Sequence, residues 1–313
     1  MGIFQSKTST KKRINGNTFL LIITVVLFVV MYGAGMIMFE DKGFAKPQMF
    51  LNLFVSNAGL LVIAMGETIV MITAGIDISV GSVTALVCMV AANQMENHGA
   101  SAYTALLMAL VIGLLFGLVQ GFLVSYLEIQ PFIVSLAGMF FGRGMTSIIS
   151  TDMISIKNKT FLAWANYKIY LPIGSYSRRG KFIPAYIYPT VIIAILIFIV
   201  VLDGLLAGCG GFLFCLNSCS GFVEQAKGLE MDAISASVIG VTLLSGGVGT
   251  PFGTVFGVLI KGTISSLITT QGTLSSWWVR IALSALLCFF IVLRALSCMT
   301  SVTCRCLFVF FLK

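Results

Sequence analysis

Residues 51–95 form one long apolar stretch with a polar interruption near its middle: LNLFVSNAGLLVIAMGETIVMITAGIDISVGSVTALVCMVAANQM. A helix needs roughly 20 apolar residues to cross a bilayer, so this stretch has the length of two spans. In the interruption, AGIDISVGS, Gly75 can end one helix, and Asp77 and Ser79 can start the next. Backbone groups freed at membrane depth persist only inside protein or beside water. The stretch therefore predicts a helix broken within the membrane, with a carboxylate at the break. A simple N-cap at the membrane interface, between two complete helices, remains open as the alternative.

The whole chain has the composition of an integral membrane protein. Of its 313 residues, 58% are hydrophobic and 10% are charged, against about 25% charged in ordinary soluble proteins. The apolar residues form long runs without the alternation of barrel strands. We therefore expect an all-α, polytopic helical membrane protein with roughly 8–10 transmembrane helices, some of them broken or re-entrant.

The charges indicate organisation and topology. Residues 1–17 form a basic tail containing Lys7, Lys11, Lys12 and Arg13, which the positive-inside rule places in the cytoplasm. Residues 18–296 form the transmembrane domain, and residues 297–313 form a C-terminal tail. The net charge of +8 is spread over tails and loops, so it indicates the lipid bilayer and not nucleic acid as the partner.

Motifs for catalysis or metal binding are absent from the sequence. It has no phosphate-binding loop, no His-Glu-x-x-His zinc motif, no nucleophile elbow and a single histidine. None of the eight cysteines forms a Cys-x-x-Cys pair. The chain is therefore expected to be neither an enzyme nor a metal protein and to hold no cofactor. If transport consumes ATP, another subunit must bind and hydrolyse it.

Polar residues inside the apolar runs are the remaining signal. A charge at the centre of a span costs about 2.5–3.5 kcal/mol or more, so such a residue should face a cavity, pair with another charge or lie near an interface. A second interruption, LSGGVGTP at residues 244–251, has the composition of a tight turn between two helices. The glycines expected to shape the turns and breaks are Gly75, Gly81, Gly246, Gly247 and Gly249.

Three motifs, in this order, resemble the ribose-type sugar permeases of bacterial ABC importers. They are ITAGIDISVGSVTAL (residues 72–86), IQPFIVSLAGMFFGRG (129–144) and EMDAISASVIGVTLLSGGVGTPFGT (230–254). Within that family they are most similar to permeases of galactofuranose importers. The resemblance implies a pore-forming subunit of the bacterial inner membrane. It also implies three partners: a cytoplasmic ATP-binding subunit, a second permease copy or paralogue, and a periplasmic sugar-binding protein.

Two regions depart from that family. Family members have about forty polar residues at a position where Val200 and Leu202 are almost adjacent here, and this cytoplasmic loop helps to couple the permease to its ATPase. The segment from Ile187 to Leu216 is also long for one crossing and short for two. The tail of residues 297–313 does not resemble the family.

The sequence therefore predicts the permease subunit of an ABC sugar importer, with galactofuranose as the expected sugar. Two alternatives stay open: a truncated paralogue that cannot transport, and a secondary transporter in which Glu67 and Asp77 relay protons. The residues expected along the substrate path are Asn57, Glu67, Asp77, Ser79, Phe132 and Asp232, with Phe132 as an aromatic gate.

Overall fold

A computed structural model describes residues 16–176, 182–191, 203–273, 275 and 277–299. The helices are α1 (Gly16–Met38), α2 (Pro47–Ser56), α3 (Ala58–Ile72), α4 (Val80–Glu96), α5 (Ala102–Ser125), α6 (Pro131–Ile149), α7 (Lys159–Asn166), α8 (Asp203–Ser218), α9 (Leu229–Ile239), α10 (Pro251–Gln271) and α11 (Trp277–Met299). The strands are β1 (Ile154–Ser155), β2 (Ile169–Tyr176), β3 (Phe182–Ile187) and β4 (Ser220–Gly221). Strand β1 pairs with β4 and β2 pairs with β3, both antiparallel.

The described residues confirm a polytopic helical protein. Four helices are long and apolar enough to cross a membrane: α1, α5, α6 and α10. The pair α2 and α3, bent by 55° around Asn57, supplies a fifth. The remaining runs that were expected to span form shorter helices, with 17 residues in α4, 16 in α8 and 11 in α9.

The centre of the bundle is formed by α3, α4 and α8. Most residues of α3 and α4 are buried, and residues of both helices pack with Phe212 and Leu213 of α8 in one apolar cluster. In α5, by contrast, only Ala102, Ala105, Ala109 and Gly113 are buried. The exposed apolar surface of α5 is the surface expected of a helix in contact with lipid.

Glycines allow α9 and α10 to pack with their backbones in contact. A Cβ atom added at Gly253 would overlap the carbonyl oxygen of Gly240, and one added at Gly257 would overlap that of Ala236. This is the close approach expected of small residues four apart in membrane helices. It fixes α9, which carries two acidic residues in its first turn, against the middle of α10.

The loops gather at two ends of the bundle. At the end where α1 begins, the Gly247 N–H donates to Ile72 O at 2.8 Å, which joins the turn before α10 to the end of α3. At the opposite end, Lys42 Nζ donates to Thr270 O at 2.6 Å. Since the basic tail precedes α1, we call the first the inner end and the second the outer end.

The polar segment between α6 and α8 lies at the outer end. Glu96 Oε1, at the end of α4, accepts hydrogen bonds from Lys157 N at 2.7 Å and Asn158 N at 3.0 Å. Gln48, at the start of α2, exchanges hydrogen bonds of 2.8 and 3.1 Å with the backbone of Tyr186 in β3. These contacts place this segment at the end of the bundle opposite the start of α1.

Both described ends of the segment from Ile187 to Leu216 lie at the outer end. Its start follows β3, and after its end the Cys219 carbonyl accepts from Ile156 N at 3.0 Å beside β1. The chain therefore leaves and returns at the same end, so the later helices keep the orientation that two crossings would give. The junction at Val200 and Leu202, where the family loop is missing from the sequence, lies outside the described residues.

Candidate functional site

The break after α3 is a helix C-terminus with its left-handed residue at Ala74. The Ala74 N–H donates to Met71 O and the Gly75 N–H donates to Val70 O, both at 3.0 Å. These two bonds form a Schellman motif, whose left-handed position usually carries glycine. Here the left-handed residue is Ala74, with a φ of 62°, one residue before Gly75, within the turn that the sequence places around Gly75. Gly75 instead packs against Val70 and Pro131, where a Cβ would lie 3.0 Å and 3.7 Å from their side chains.

The backbone of the break enters the bundle before α4 begins. Gly75 lies beside Pro131, the first residue of α6, whereas a Cβ on Gly138 would lie 3.3 Å from Ser79 Cβ. Seven residues of helix span about 10 Å. The non-helical residues 75–78 therefore lie alongside the first two turns of α6, inside the depth that α6 spans. This favours a helix broken within the membrane over a simple N-cap at the interface.

Hydrogen bonds from α3, from α6 and from within the break satisfy this non-helical backbone, and one from α5 holds the Ser79 side chain. Glu67 Oε1 on α3 accepts from Asp77 N at 3.3 Å, and Asp77 Oδ1 accepts from Ser79 N at 2.8 Å. Ser135 Oγ on α6 donates to Ile76 O at 3.1 Å. Gln120 Nε2 on α5 donates to Ser79 Oγ at 2.8 Å. Asp77 thus closes a turn one residue before α4 and does not cap the helix itself, because its partner Ser79 is the N-cap residue.

A cavity of about 470 Å³ lies at this break, between α3, α5 and α6. This volume lies within the range of small-molecule sites. Most of the wall is glycine and aliphatic side chains, and the described residues that line it include no lysine, arginine or histidine. Its polar side chains are those of Glu67, Thr73, Asp77, Ser79, Gln120 and Ser135. The cavity therefore offers mainly hydrogen-bond acceptors and carries two carboxyl groups without a cationic group.

The structure brings together three of the six residues expected along the path: Glu67, Asp77 and Ser79 line the cavity. Asn57 lies at the bend between α2 and α3, where Nδ2 donates to Leu53 O at 2.8 Å. Phe132 is 45% exposed on α6 and does not line the cavity. Asp232 forms an ion pair of 3.2 Å with Lys261 of α10. The Asn57 side chain is therefore bound to backbone and that of Asp232 to a neighbouring charge, and none of these three side chains lines the cavity.

Sequence reasoning missed Gln120 and Ser135. Gln120 is a polar residue within the apolar α5, between Gly117 and Gly121, which also line the cavity. Ser135 follows the start of α6 by one helical turn and is 3% exposed. A polar residue on the glycine face of an apolar helix was the available signal for Gln120.

The glycine turn before α10 packs directly on the break. Gly246 and Gly247 both have a φ of 81°, and a Cβ on Gly246 would lie 2.8 Å from the backbone N of Ala74. A Cβ on Gly249 would lie 2.8 Å from the side chain of Ile72. Gly81 was expected at a turn but lies in the first turn of α4, where a Cβ would overlap Glu230 Oε2. Its role is close packing of α4 against α9.

Comparison with known proteins identifies the group to which the chain is similar. Residues 49–202 match the family described as branched-chain amino acid transport system / permease component. The inner membrane ABC transporter permease protein YjfF of Escherichia coli (strain K12) is 36% identical over 303 residues, covering 88% of this chain and 91% of the relative. The fructose import permease protein FruG of Bifidobacterium longum (strain NCC 2705) is 26% identical, covering 86% and 88%. The autoinducer 2 import system permease protein LsrC of Yersinia pestis (strain Pestoides F) is 28% identical, covering 76% and 74%. No solved structure matches the chain.

The length of the match with YjfF shows that this chain lacks some residues that the relative has. An alignment of 303 positions is longer than 88% of 313 residues, so the relative has residues within the aligned range that this chain lacks. The family match also ends at residue 202, at the junction where the sequence lacks the expected loop.

Proposed function

Because this chain belongs to the family of branched-chain amino acid transport system permease components, we propose that the cavity at its helix break is the path for a neutral sugar, with galactofuranose as the sugar. The chain is a multi-pass protein of the inner membrane and a permease component of the ABC sugar importer family.

The observation that carries the proposal is the charge and hydrogen-bonding character of the cavity. A branched-chain amino acid brings a carboxylate as well as an ammonium group, and a sugar phosphate brings a phosphate; the anionic group of each needs a cation or several N–H donors when it leaves water. The cavity places the carboxyl groups of Glu67 and Asp77 in its wall, without a basic side chain among its described lining residues. A neutral sugar brings several hydroxyl donors, which suit these carboxylate and amide oxygens. This match supports a neutral polyhydroxylated substrate over an anionic one.

The energy for transport would come from partner subunits. The family relationship supports a cytoplasmic subunit that binds and hydrolyses ATP, a periplasmic sugar-binding protein, and a second permease copy or paralogue. This chain would hold no cofactor. Its contribution would be the polar path and the helix packing that changes shape as the ATP-binding subunit closes and opens.

Ligand-observed NMR on the purified chain in lipid nanodiscs tests the substrate class, because it detects weak binding that needs no partner subunit. The probes are methyl galactofuranoside, fructose, leucine and galactose 1-phosphate. We expect saturation transfer to the two neutral sugars, and its loss in Asp77→Leu. Transfer to leucine or to the phosphate, with none to either sugar, would overturn the neutral-sugar proposal.

A further inference from the structure

Beside the cavity lies a second hollow of different chemistry. An apolar groove of about 440 Å³ runs between α4, α5 and α6. Several side chains that line the groove face away from the bundle: Leu115, Val119 and Phe141 are 55%, 58% and 60% exposed. Since α5 and α6 are long enough to span the membrane and carry exposed apolar side chains here, the groove opens toward the bilayer.

Gln120 stands between the groove and the cavity. Its side chain is part of the wall of both, together with Phe116 and Val134. The amide is held in place from two directions. Gln120 Nε2 donates to Ser79 Oγ at 2.8 Å, and it lies over Gly138, where a Cβ would overlap the amide nitrogen. Glycine at position 138 therefore makes room for the Gln120 side chain across the gap between α5 and α6.

We propose that Gln120 determines specificity by separating the polar cavity from the apolar groove, so that a sugar without an apolar substituent is accepted and a sugar with an alkyl tail is not. This inference rests on the proposed function for the identity of the sugar. The separation itself follows from a wall that Phe116, Gln120 and Val134 share between the two hollows, in which Gln120 supplies the only polar side chain. Shortening that side chain would join them into one amphipathic site, polar at the helix break and apolar toward the bilayer.

The size of the effect follows from the tail that the joined site could bury. Each buried methylene strengthens binding about fourfold, so the three extra methylenes of a butyl glycoside give at most about a sixtyfold gain over the methyl glycoside. With the wall closed by Gln120, the tail of a sugar in the cavity should not reach the groove, so the butyl compound should bind no better than the methyl compound in the unmodified chain.

Four variants separate the wall from other roles of the residue. Gln120→Ala removes the wall and the hydrogen bond. Gln120→Leu keeps a side chain of similar length but loses the hydrogen bond, and Ser79→Ala loses the hydrogen bond alone. Gly138→Ala pushes the amide away from its place and should resemble Gln120→Ala in part. If the role of Gln120 is purely structural, Gln120→Leu and Gln120→Ala should behave alike. If Gln120 is the wall, only Gln120→Ala should bind the butyl glycoside more tightly than the methyl glycoside.

The experiment measures, in nanodiscs, the ratio of affinities for butyl and methyl galactofuranoside. We expect a ratio near one for the unmodified chain, Gln120→Leu and Ser79→Ala, and a ratio above about tenfold for Gln120→Ala. Equal ratios for Gln120→Ala and Gln120→Leu would overturn the proposal. If the unmodified chain binds neither glycoside, the neutral-sugar proposal fails.

A second readout that uses no sugar then decides the role of Gln120. Ser135→Cys places a thiol in the cavity wall, and its reaction with a membrane-dissolved N-alkyl maleimide is followed against the same chain without that substitution. The reaction should accelerate in Gln120→Ala and stay unchanged in Gln120→Leu. An unchanged rate in Gln120→Ala would overturn the separation of the two hollows.

Discussion

Replacing Asp77 separates its two roles at the helix break. Its Oδ1 accepts the Ser79 N–H at 2.8 Å, in backbone that enters the bundle beside α6. Asn at position 77 keeps an oxygen for that bond but loses the negative charge, whereas Leu removes the acceptor. Leaving one buried N–H unsatisfied costs about 1–3 kcal/mol. We therefore expect Asp77→Leu to lose about that much stability and Asp77→Asn to lose less than about 1 kcal/mol.

The assay for this prediction combines unfolding and function. Unfolding of each variant in mixed micelles of increasing denaturing detergent gives the stability difference, and uptake or binding of the sugar gives the functional loss. Asp77→Asn should fold like the parent but bind sugar more weakly, because a charged acceptor forms stronger hydrogen bonds with hydroxyls. Normal stability and normal sugar binding in Asp77→Leu would refute the idea that this carboxylate supports a polar path at a broken helix.

The remaining predictions concern backbone geometry. The double variant Gly246→Val and Gly247→Val should lower the amount of folded protein in the membrane, because both positions have a φ of 81°. Unchanged yield by fluorescence-detected size exclusion would contradict this. Ala74→Gly should raise stability by about 1 kcal/mol, since it relieves a left-handed alanine, and detergent unfolding would show no gain if the reasoning is wrong. Gly257→Ala should cost about 1–3 kcal/mol, because the new Cβ overlaps Ala236 O. The matched control Gly33→Ala, inside α1 where the structure leaves open space, should cost nothing and could gain up to about 1 kcal/mol from helix propensity.

Local sequence signals identified the break and the glycine turn but not their depth. Composition and the run from residue 51 to residue 95 predicted two helices with an interruption, and the structure places α3 and α4 there. The depth of Ser79 depends on how α4 packs against α6, through Gly138. That offset is a tertiary property, so the sequence left the interfacial N-cap open as an alternative.

Tertiary packing also decides which of the cavity residues could be predicted from the sequence. Glu67, Asp77 and Ser79 are close in sequence to the break, so a local argument found them. Gln120 and Ser135 reach the same cavity from α5 and α6, and only the packing of those helices shows it. Intramembrane polarity alone also selected Asp232, but that residue pairs with Lys261. The free-energy cost of burying a charged side chain identifies residues that need a partner. It does not tell whether that partner is a substrate or a neighbouring side chain.

The shortened junction between α8 and the residues before it bears on coupling. An importer permease must receive force from its ATP-binding subunit through cytoplasmic segments, and among the described residues the inner end shows short loops at residues 126–130 and 240–250. A standard protein interface needs about 800 Å² from each partner. We therefore expect weak stimulation of a partner ATPase by the chain as it stands. We also expect stimulation to recover when a family loop is inserted between Val200 and Leu202. Full stimulation without the insert would contradict this.

The most direct test of the central claim is uptake of radiolabelled galactofuranose into vesicles that contain the chain with the inserted loop, the ATP-binding subunit, the sugar-binding protein and ATP. Leucine serves as the competing substrate, and Asp77→Leu in the same loop-bearing chain serves as the matched control. We predict ATP-dependent uptake of the sugar that leucine does not inhibit and that Asp77→Leu abolishes. Uptake of leucine, or sugar uptake that is unaffected in Asp77→Leu, would contradict a neutral-sugar path at the helix break.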